Sequence, residues 1–193
     1  MILEKIGLKV NRIFLKITNL NFVKVYPRHS IRFARTYFKD KEIDVVEIGT
    51  DQGENAENML KVLNINKLYC IDPYLSYDLY LENRTKKTLN KAEKIAERKL
   101  KSKIIWIKKY SNDAVEDIPE KVDLVYIDGN HSYDYVKQDI ENYWKVLKDG
   151  GILAGHDITN DFFGGDILLA VAEFCIKNKL KPYTSRTDWW IIK

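Results

Sequence analysis

Residues 44–53 read Asp44-Val45-Val46-Glu47-Ile48-Gly49-Thr50-Asp51-Gln52-Gly53, and the fold turns on them. Asp44 to Ile48 is a short, nearly continuous apolar run of the kind carried by a strand buried on both faces. Gly49 ends that run, and from Gly53 to Leu63 the pattern becomes helical. A strand, a glycine turn and a helix therefore follow one another directly.

Working outward from this unit, the alternation repeats. Lys67 to Ile71 is a second strand ending at Asp72-Pro73, and Glu82 to Lys101 a long charged helix. Ile104 to Lys108 is a third strand, followed by a short helix from Asp113 to Ile118. Val122 to Ile127 is a fourth strand, closed by Asp128-Gly129 and followed by a helix from Ser132 to Leu147. Gly151 to Ala154 is a fifth strand and Gly165 to Asn178 the last helix. Pro182 to Ser185 and Trp189 to Ile192 are two short strands joined by Arg186-Thr187-Asp188. Strand–helix alternation with short links predicts an α/β three-layer sandwich around a mostly parallel sheet, here closed by an antiparallel hairpin. Right-handed crossovers bring the C-terminal ends of the five parallel strands to one edge, where ligands bind near the switch in strand order.

The chain has 193 residues, enough for one ordinary domain with its own core. With 45% hydrophobic and 31% charged residues and only 9 Gly and 4 Pro, disordered and collagen-like classes are excluded. The net charge of +4 permits an anionic partner without arguing for one. Cys70 and Cys175 both lie in apolar runs, which fits a reduced, cytoplasmic chain. No apolar stretch approaches the roughly 18 residues of a membrane span, and the N-terminus is too regularly charged for a signal peptide. From Met1 to Phe38 there are eight basic residues against one acid, Glu4, with apolar residues on a helical stripe. This predicts a basic amphipathic helical extension over residues 1–40, broken near Pro27, ahead of a domain over 41–193. The extension is a candidate lid, or a homodimer contact through its apolar stripe. Alternatively it packs on the sheet with its lysines solvated. No recognised nucleic-acid motif and no aromatic cluster accompany the basic residues, which speaks against a nucleic-acid partner.

The polar residues after each strand are the ones that carry chemistry. Gly49 permits a sharp bend and Gly53 a close backbone approach at a helix start, while Asp51 stands where a phosphate-binding turn would have glycine. Asp51 suits a ligand with a positive centre. Asp72, about 20 residues past the turn, either accepts the ribose hydroxyls of an adenosine or caps a turn before Pro73. Ser111-Asn112-Asp113-Ala114 either meets an adenine edge or begins a helix. The chain has 3 His, and two of them, His131 and His156, fall on this edge beside Asp128 and Asp157. Such a group can deprotonate a hydroxyl or amine near neutral pH. It can also bind a divalent metal through Asp128, His156 and Asp157.

Together VVEIGTDQGENAENML (45–60), LYCIDPY (68–74) and VDLVYIDGNHSYDYVKQDIENYWKVLKDGGILAGHD (122–157) resemble a class I S-adenosylmethionine-dependent methyltransferase. The nearest likeness is to its small-molecule branch, whose fourth strand ends in Asp-Gly-x-His-x-Tyr. The resemblance implies a seven-stranded Rossmann-like sheet with its last strand antiparallel, and S-adenosyl-L-methionine as cofactor. It implies a cofactor loop at Glu47, Gly49, Thr50, Asp51 and Gly53, with Asp72 at the ribose, Asp113-Ala114 at the adenine and Asp128 near the methionine portion. Metal-dependent relatives, with an Asp after the fourth strand and an Asp-Asn pair after the fifth, suggest a divalent ion such as Mg at Asp128 and Asp157; Ile158 stands where the Asn is expected, and His156 is the substitute for it. The expected reaction is methyl transfer to a small-molecule acceptor, at a hydroxyl oxygen, with His131, His156 and Asp157 catalytic. The rival expectations are an RNA or protein methyltransferase using the basic N-terminus, and a non-catalytic binder of an adenosine cofactor.

Overall fold

A computed structural model describes residues 27–75, 90, 93–94, 96–97, 104–159 and 164–193. These form one seven-stranded sheet with helices on both faces. The elements are α1 (His29–Phe38), β1 (Ile43–Ile48), α2 (Glu54–Val62), β2 (Ile65–Ile71), β3 (Ile104–Ile107), α3 (Ser111–Ala114), β4 (Val122–Ile127), α4 (Tyr133–Val146), β5 (Leu147–Gly155), α5 (Gly164–Asn178), β6 (Tyr183–Ser185) and β7 (Asp188–Ile192). A 3-10 turn, Val115–Asp117, extends α3. Of the expected charged helix over 82–101, only Asn90, Glu93, Lys94, Ala96 and Glu97 fall within the described residues, and they are helical.

The strand order is β3-β2-β1-β4-β5-β7-β6. β1 pairs in parallel with both β2 and β4, β4 with β5, and β2 with β3. β7 runs antiparallel to both β5 and β6, so the sheet is mostly parallel and closes on a hairpin, as the terminal pattern predicts. The chain builds outward from β1 through β2 to β3, then returns to β4 on the other side. The switch in strand order therefore lies between β1 and β4, where a crevice opens at the strand ends.

Every residue of β4 is buried, and in β1 only Asp44 is partly exposed. The two faces hold separate cores. One gathers Val46, Ile48, Val125, Ile140, Val171 and their neighbours under α4 and α5. The other gathers Val45, Met59, Leu68, Leu124 and Tyr126 under α1 and α2. β5 begins earlier than its apolar run suggests. Leu147 pairs with Val122, the register shifts, and Gly150 at φ +75 turns the chain before Ile152 pairs with Leu124. α5 begins at Gly164, one residue ahead of the expected Gly165, and residues 160–163 before it lie outside the described residues.

Of the basic N-terminal extension, residues 1–26 lie outside the described residues. The remainder, α1, buries Ile31, Ala34 and Phe38 at helical spacing in the same core as Trp190 and Ile152. Phe33 stacks on Trp190 with ring centroids 5.1 Å apart. No side chain of its own caps α1; the buried Asp188 of β7 accepts from both Ser30 N–H (2.8 Å) and Ser30 Oγ–H (2.7 Å). Those bonds satisfy groups that a helix start leaves open. Among the described residues no helix is long and apolar enough to cross a membrane.

Candidate active site

The C-terminal ends of β1, β2, β4 and β5, the start of α3 and the segment before α1 enclose a cleft of about 340 Å³. Gly49 and Asp128 meet at its floor. A Cβ on Gly49 would lie 2.1 Å from the Asp128 carbonyl oxygen, and its φ is +85, so only glycine fits. Asp51 N–H donates to Asp72 Oδ2 at 2.9 Å and Tyr74 N–H to Asp72 Oδ1 at 2.8 Å. Tyr74 OH donates back to the Asp51 carbonyl at 2.9 Å. The Asp72 carboxylate is thereby fixed at the edge of the cleft. Of the six non-glycine residues with positive φ among the described residues, Asp51, Tyr74 and Asp157 line this cleft. Backbone strain of this kind collects where a site must be held in shape.

The other end of the cleft is made of side chains. His131 Nε2 lies 3.5 Å from Asp128 Oδ1 and 3.6 Å from Asp157 Oδ2. Asp157 Oδ1 lies 3.0 Å from His156 Nδ1, and His156 Nε2 is 2.7 Å from Thr187 Oγ1 and 3.7 Å from Asp188 Oδ1. His156 thus has both ring nitrogens occupied, and it holds Asp157 in place.

Arg28 closes this end. Its Nη1 lies 2.9 Å from Asp128 Oδ2 and donates to Tyr126 OH at 2.9 Å, with the guanidinium carbon 5.4 Å from the Tyr126 ring centroid. Burial opposes its charge, but Tyr126, Asp128 and Asp188 outweigh that and hold it firmly protonated.

The sequence-expected residues divide accordingly. Gly49, Asp51, Asp72, Asp128, His131, His156 and Asp157 line the cleft. Glu47, Thr50, Gly53, Asp113 and Ala114 are not among its lining residues. Glu47 is buried beneath the turn and accepts from Asn55 Nδ2 at 2.9 Å. Burial raises its pKa from 4.5 to about 8 against the opposing effect of Asn55, so the carboxyl is neutral at neutral pH. Gly53 starts α2 at φ +71, Ala114 is in the core, and Asp113 is exposed.

The donor atoms of Asp128, His131 and Asp157 lie within 4.8 Å of one another, a set of two carboxylates and an imidazole that fits a divalent cation. The grouping takes His131 in the position expected for His156, because the His156 ring is turned toward Thr187. Sequence reading did not single out Arg28, Tyr126, Tyr74, Thr187 or Asp188. Arg28 and Tyr126 are 98 residues apart and Ser30 and Asp188 are 158 apart, so no local pattern joins them.

An uncharacterized protein of Acanthamoeba polyphaga mimivirus is 30% identical over 158 residues, covering 78% of this chain and 68% of the viral one. Among solved structures, the calicheamicin methyltransferase CalS11 has a TM-score of 0.64 at 11% identity, covering 84% of this chain and 77% of its own. MycE methyltransferase from the mycinamycin biosynthetic pathway, in complex with Mg, SAH and mycinamycin VI, has a TM-score of 0.60 at 15% identity, covering 91% of this chain and 51% of its own. At these identities the likeness to the solved structures is one of fold. Residues 46–158, more than half of the chain and the span from β1 to the Asp157 edge, match the methyltransferase-domain family; the chain belongs to that family and is an S-adenosylmethionine-dependent methyltransferase.

Proposed function

We propose that the chain transfers a methyl group from S-adenosyl-L-methionine to a hydroxyl oxygen of a small-molecule acceptor. What supports this reading is a single cleft lined both by Asp72, held by two backbone N–H groups, and by the Asp128–His131–Asp157 group. When bound, the cofactor supplies an already activated methyl group. The protein's share is alignment and removal of one proton.

In this reading Asp72 accepts the ribose hydroxyls, and the turn at Gly49 and Asp51 brings backbone close to the cofactor, with Glu47, Thr50 and Gly53 shaping it from below. Asp113 and Ala114 set the position of α3, whose Ser111 lines the cleft. Asp51 and Asp128 add negative charge suited to a sulfonium. His131 accepts the hydroxyl proton, and the carboxylates of Asp128 and Asp157 stabilise the imidazolium that results. His156 is a positioning residue that orients Asp157. With a divalent ion such as Mg bound at Asp128, His131 and Asp157, the ion would add Lewis acidity at the acceptor oxygen. His131 would then act as its ligand.

The test is calorimetric titration with S-adenosylmethionine and S-adenosylhomocysteine, with NAD as control. Micromolar binding is expected, weakened about fiftyfold in Asp72→Ala, since charge-assisted hydrogen bonds contribute about 1.5–3 kcal/mol each. In a screen of hydroxylated acceptors, His131→Ala is expected to slow turnover about a hundredfold or more while leaving cofactor affinity within a few-fold. No binding of either sulfur compound, or preference for NAD, sinks the proposal.

A further inference from the structure

We infer that Arg28 is the resident counter-cation of Asp128, and that it loosens the hold of the Asp128–His131–Asp157 group on a divalent ion. The inference rests on the proposed reading only in taking this group as the catalytic end of the cleft.

Asp128 divides its two oxygens between two partners. Oδ2 is taken by Arg28 Nη1 at 2.9 Å, while Oδ1 faces His131 Nε2 at 3.5 Å. Oδ1 is the oxygen farther from the guanidinium, and a cation chelated by both oxygens would lie closer to Arg28 still. The charge count points the same way. Asp128 and Asp157 bring two negative charges to the group, and Arg28 neutralises one of them at contact distance.

A divalent ion bound at Oδ1 would sit roughly 5–6 Å from the guanidinium, given cation–oxygen distances of about 2.0–2.6 Å. Over that distance a monovalent and a divalent cation repel appreciably even at a surface-like dielectric. Arg28 is also held in place. Its Nη1 donates to the buried Tyr126 hydroxyl, and two residues on, Ser30 is bonded through N–H and Oγ–H to buried Asp188. His29 Nδ1 is within 2.8 Å of Ser185 Oγ. The chain around Arg28 is therefore clamped to the β6–β7 hairpin, so a metal cannot displace the side chain without breaking these contacts or stretching away from them. Arg28 puts fixed positive charge beside Asp128, where a bound ion would otherwise supply it. That arrangement lets His131 serve as a proton acceptor.

The experiment is to strip the full-length protein with chelator and titrate it with Mn2+ alone, following free Mn2+ by electron paramagnetic resonance. No methyl donor or acceptor is present. Wild type is expected to bind weakly. Arg28→Gln and Arg28→Met, two routes to the same loss of charge, are expected to bind about tenfold tighter or more. Arg28→Lys keeps the charge and is expected to stay near wild type. Arg32→Gln removes an exposed charge from α1 outside the cleft and controls for net charge. Loss of a merely structural residue would weaken a metal site, so tightening is the distinctive result. Equal or weaker Mn2+ binding in both neutral variants, with circular dichroism matching wild type, overturns the inference; so does no binding in any protein. S-adenosylmethionine affinity, measured separately, reports whether the methyltransferase reading itself stands.

Discussion

At the β1–β2 end of the cleft, Asp51 reaches Asp72 across 21 residues of chain and Tyr74 reaches it across two. At the β4–β5 end, Arg28 reaches Tyr126 across 98 residues and Ser30 reaches Asp188 across 158. The first end is built of backbone N–H groups, a glycine and one carboxylate, all within a single strand–turn–helix–strand unit. The second is built of polar and charged side chains from four separate stretches of chain, 28–30, 126–131, 156–157 and 187–188, the first of which precedes the family-matched region. The first end thus depends on local turn chemistry. The second depends on the whole sheet having closed, hairpin and N-terminal segment included.

The harshest way to break the local end is Gly49→Ala. The added Cβ would meet the Asp128 carbonyl oxygen at 2.1 Å and its carbon at 2.6 Å, both backbone atoms that cannot rotate away. The positive φ adds strain of its own. A destabilisation of about 4 kcal/mol or more is expected, at the exceptional end for one substitution, read by urea unfolding. Because Asp128 belongs to the other end, the same variant should also lower turnover in whatever fraction remains folded. A loss below about 1 kcal/mol would mean the floor of the cleft is less tightly closed than its geometry implies.

Glu47 tests the local end through pH. Burial raises its carboxyl from 4.5 to about 8 in the folded chain. Below pH 4.5 both folded and unfolded states are protonated, and no difference arises. Between 4.5 and 8 the unfolded chain loses this proton while the folded chain keeps it, so stability falls as pH rises through that window. The full effect is about 5 kcal/mol, at about 1.4 kcal/mol per pH unit. Asp139, raised by burial from 3.8 to about 7, adds a slope of the same sign at lower pH. Glu47→Gln removes only the first contribution. Chemical denaturation at pH 5 and pH 8 should show wild type losing more stability than the variant between the two. Parallel losses would place ionised Glu47 in the folded protein near neutral pH.

The same contrast explains what the sequence disclosed. The sheet was legible because each buried strand is a short apolar run ended by Gly49, Asp72-Pro73 or Asp128-Gly129, and because the terminal Pro182–Ile192 pattern alternates around a turn. Asp72 was legible because its distance from the glycine turn is set by one helix. His131 and His156 could be placed on the edge, but not assigned different tasks. Their surroundings diverge through Thr187, which meets His156 alone and comes from a strand connection far along the chain. Arg28 read as one basic residue among eight, since nothing near it in sequence indicates a buried tyrosine and an aspartate as partners. The start of β5 was misplaced because Leu147 pairs across a register shift that an apolar run does not encode.

Ser30→Ala probes the long-range end with the smallest perturbation. It removes one of two hydrogen bonds to Asp188 Oδ2 and leaves the bond from Ser30 N–H intact. Ser30 and Asp188 are both buried, and the lost bond runs to a carboxylate, so the expected cost is about 1.5–2 kcal/mol in unfolding free energy. That cost has a second readout if the long-range end acts as a unit. Ser30 anchors the chain two residues from Arg28, and Asp188 lies 3.7 Å from His156. A loosened anchor should therefore lower turnover several-fold while the affinity for S-adenosylmethionine, which the proposed reading assigns to the Asp72 end, stays within twofold. Stability loss with unchanged turnover would show that α1 merely covers the sheet, and that the two ends of the cleft differ less than their wiring suggests. A parallel fall in cofactor affinity would mean that strain at the hairpin passes through Asp128 and Gly49 into the local end, joining what the chain builds separately.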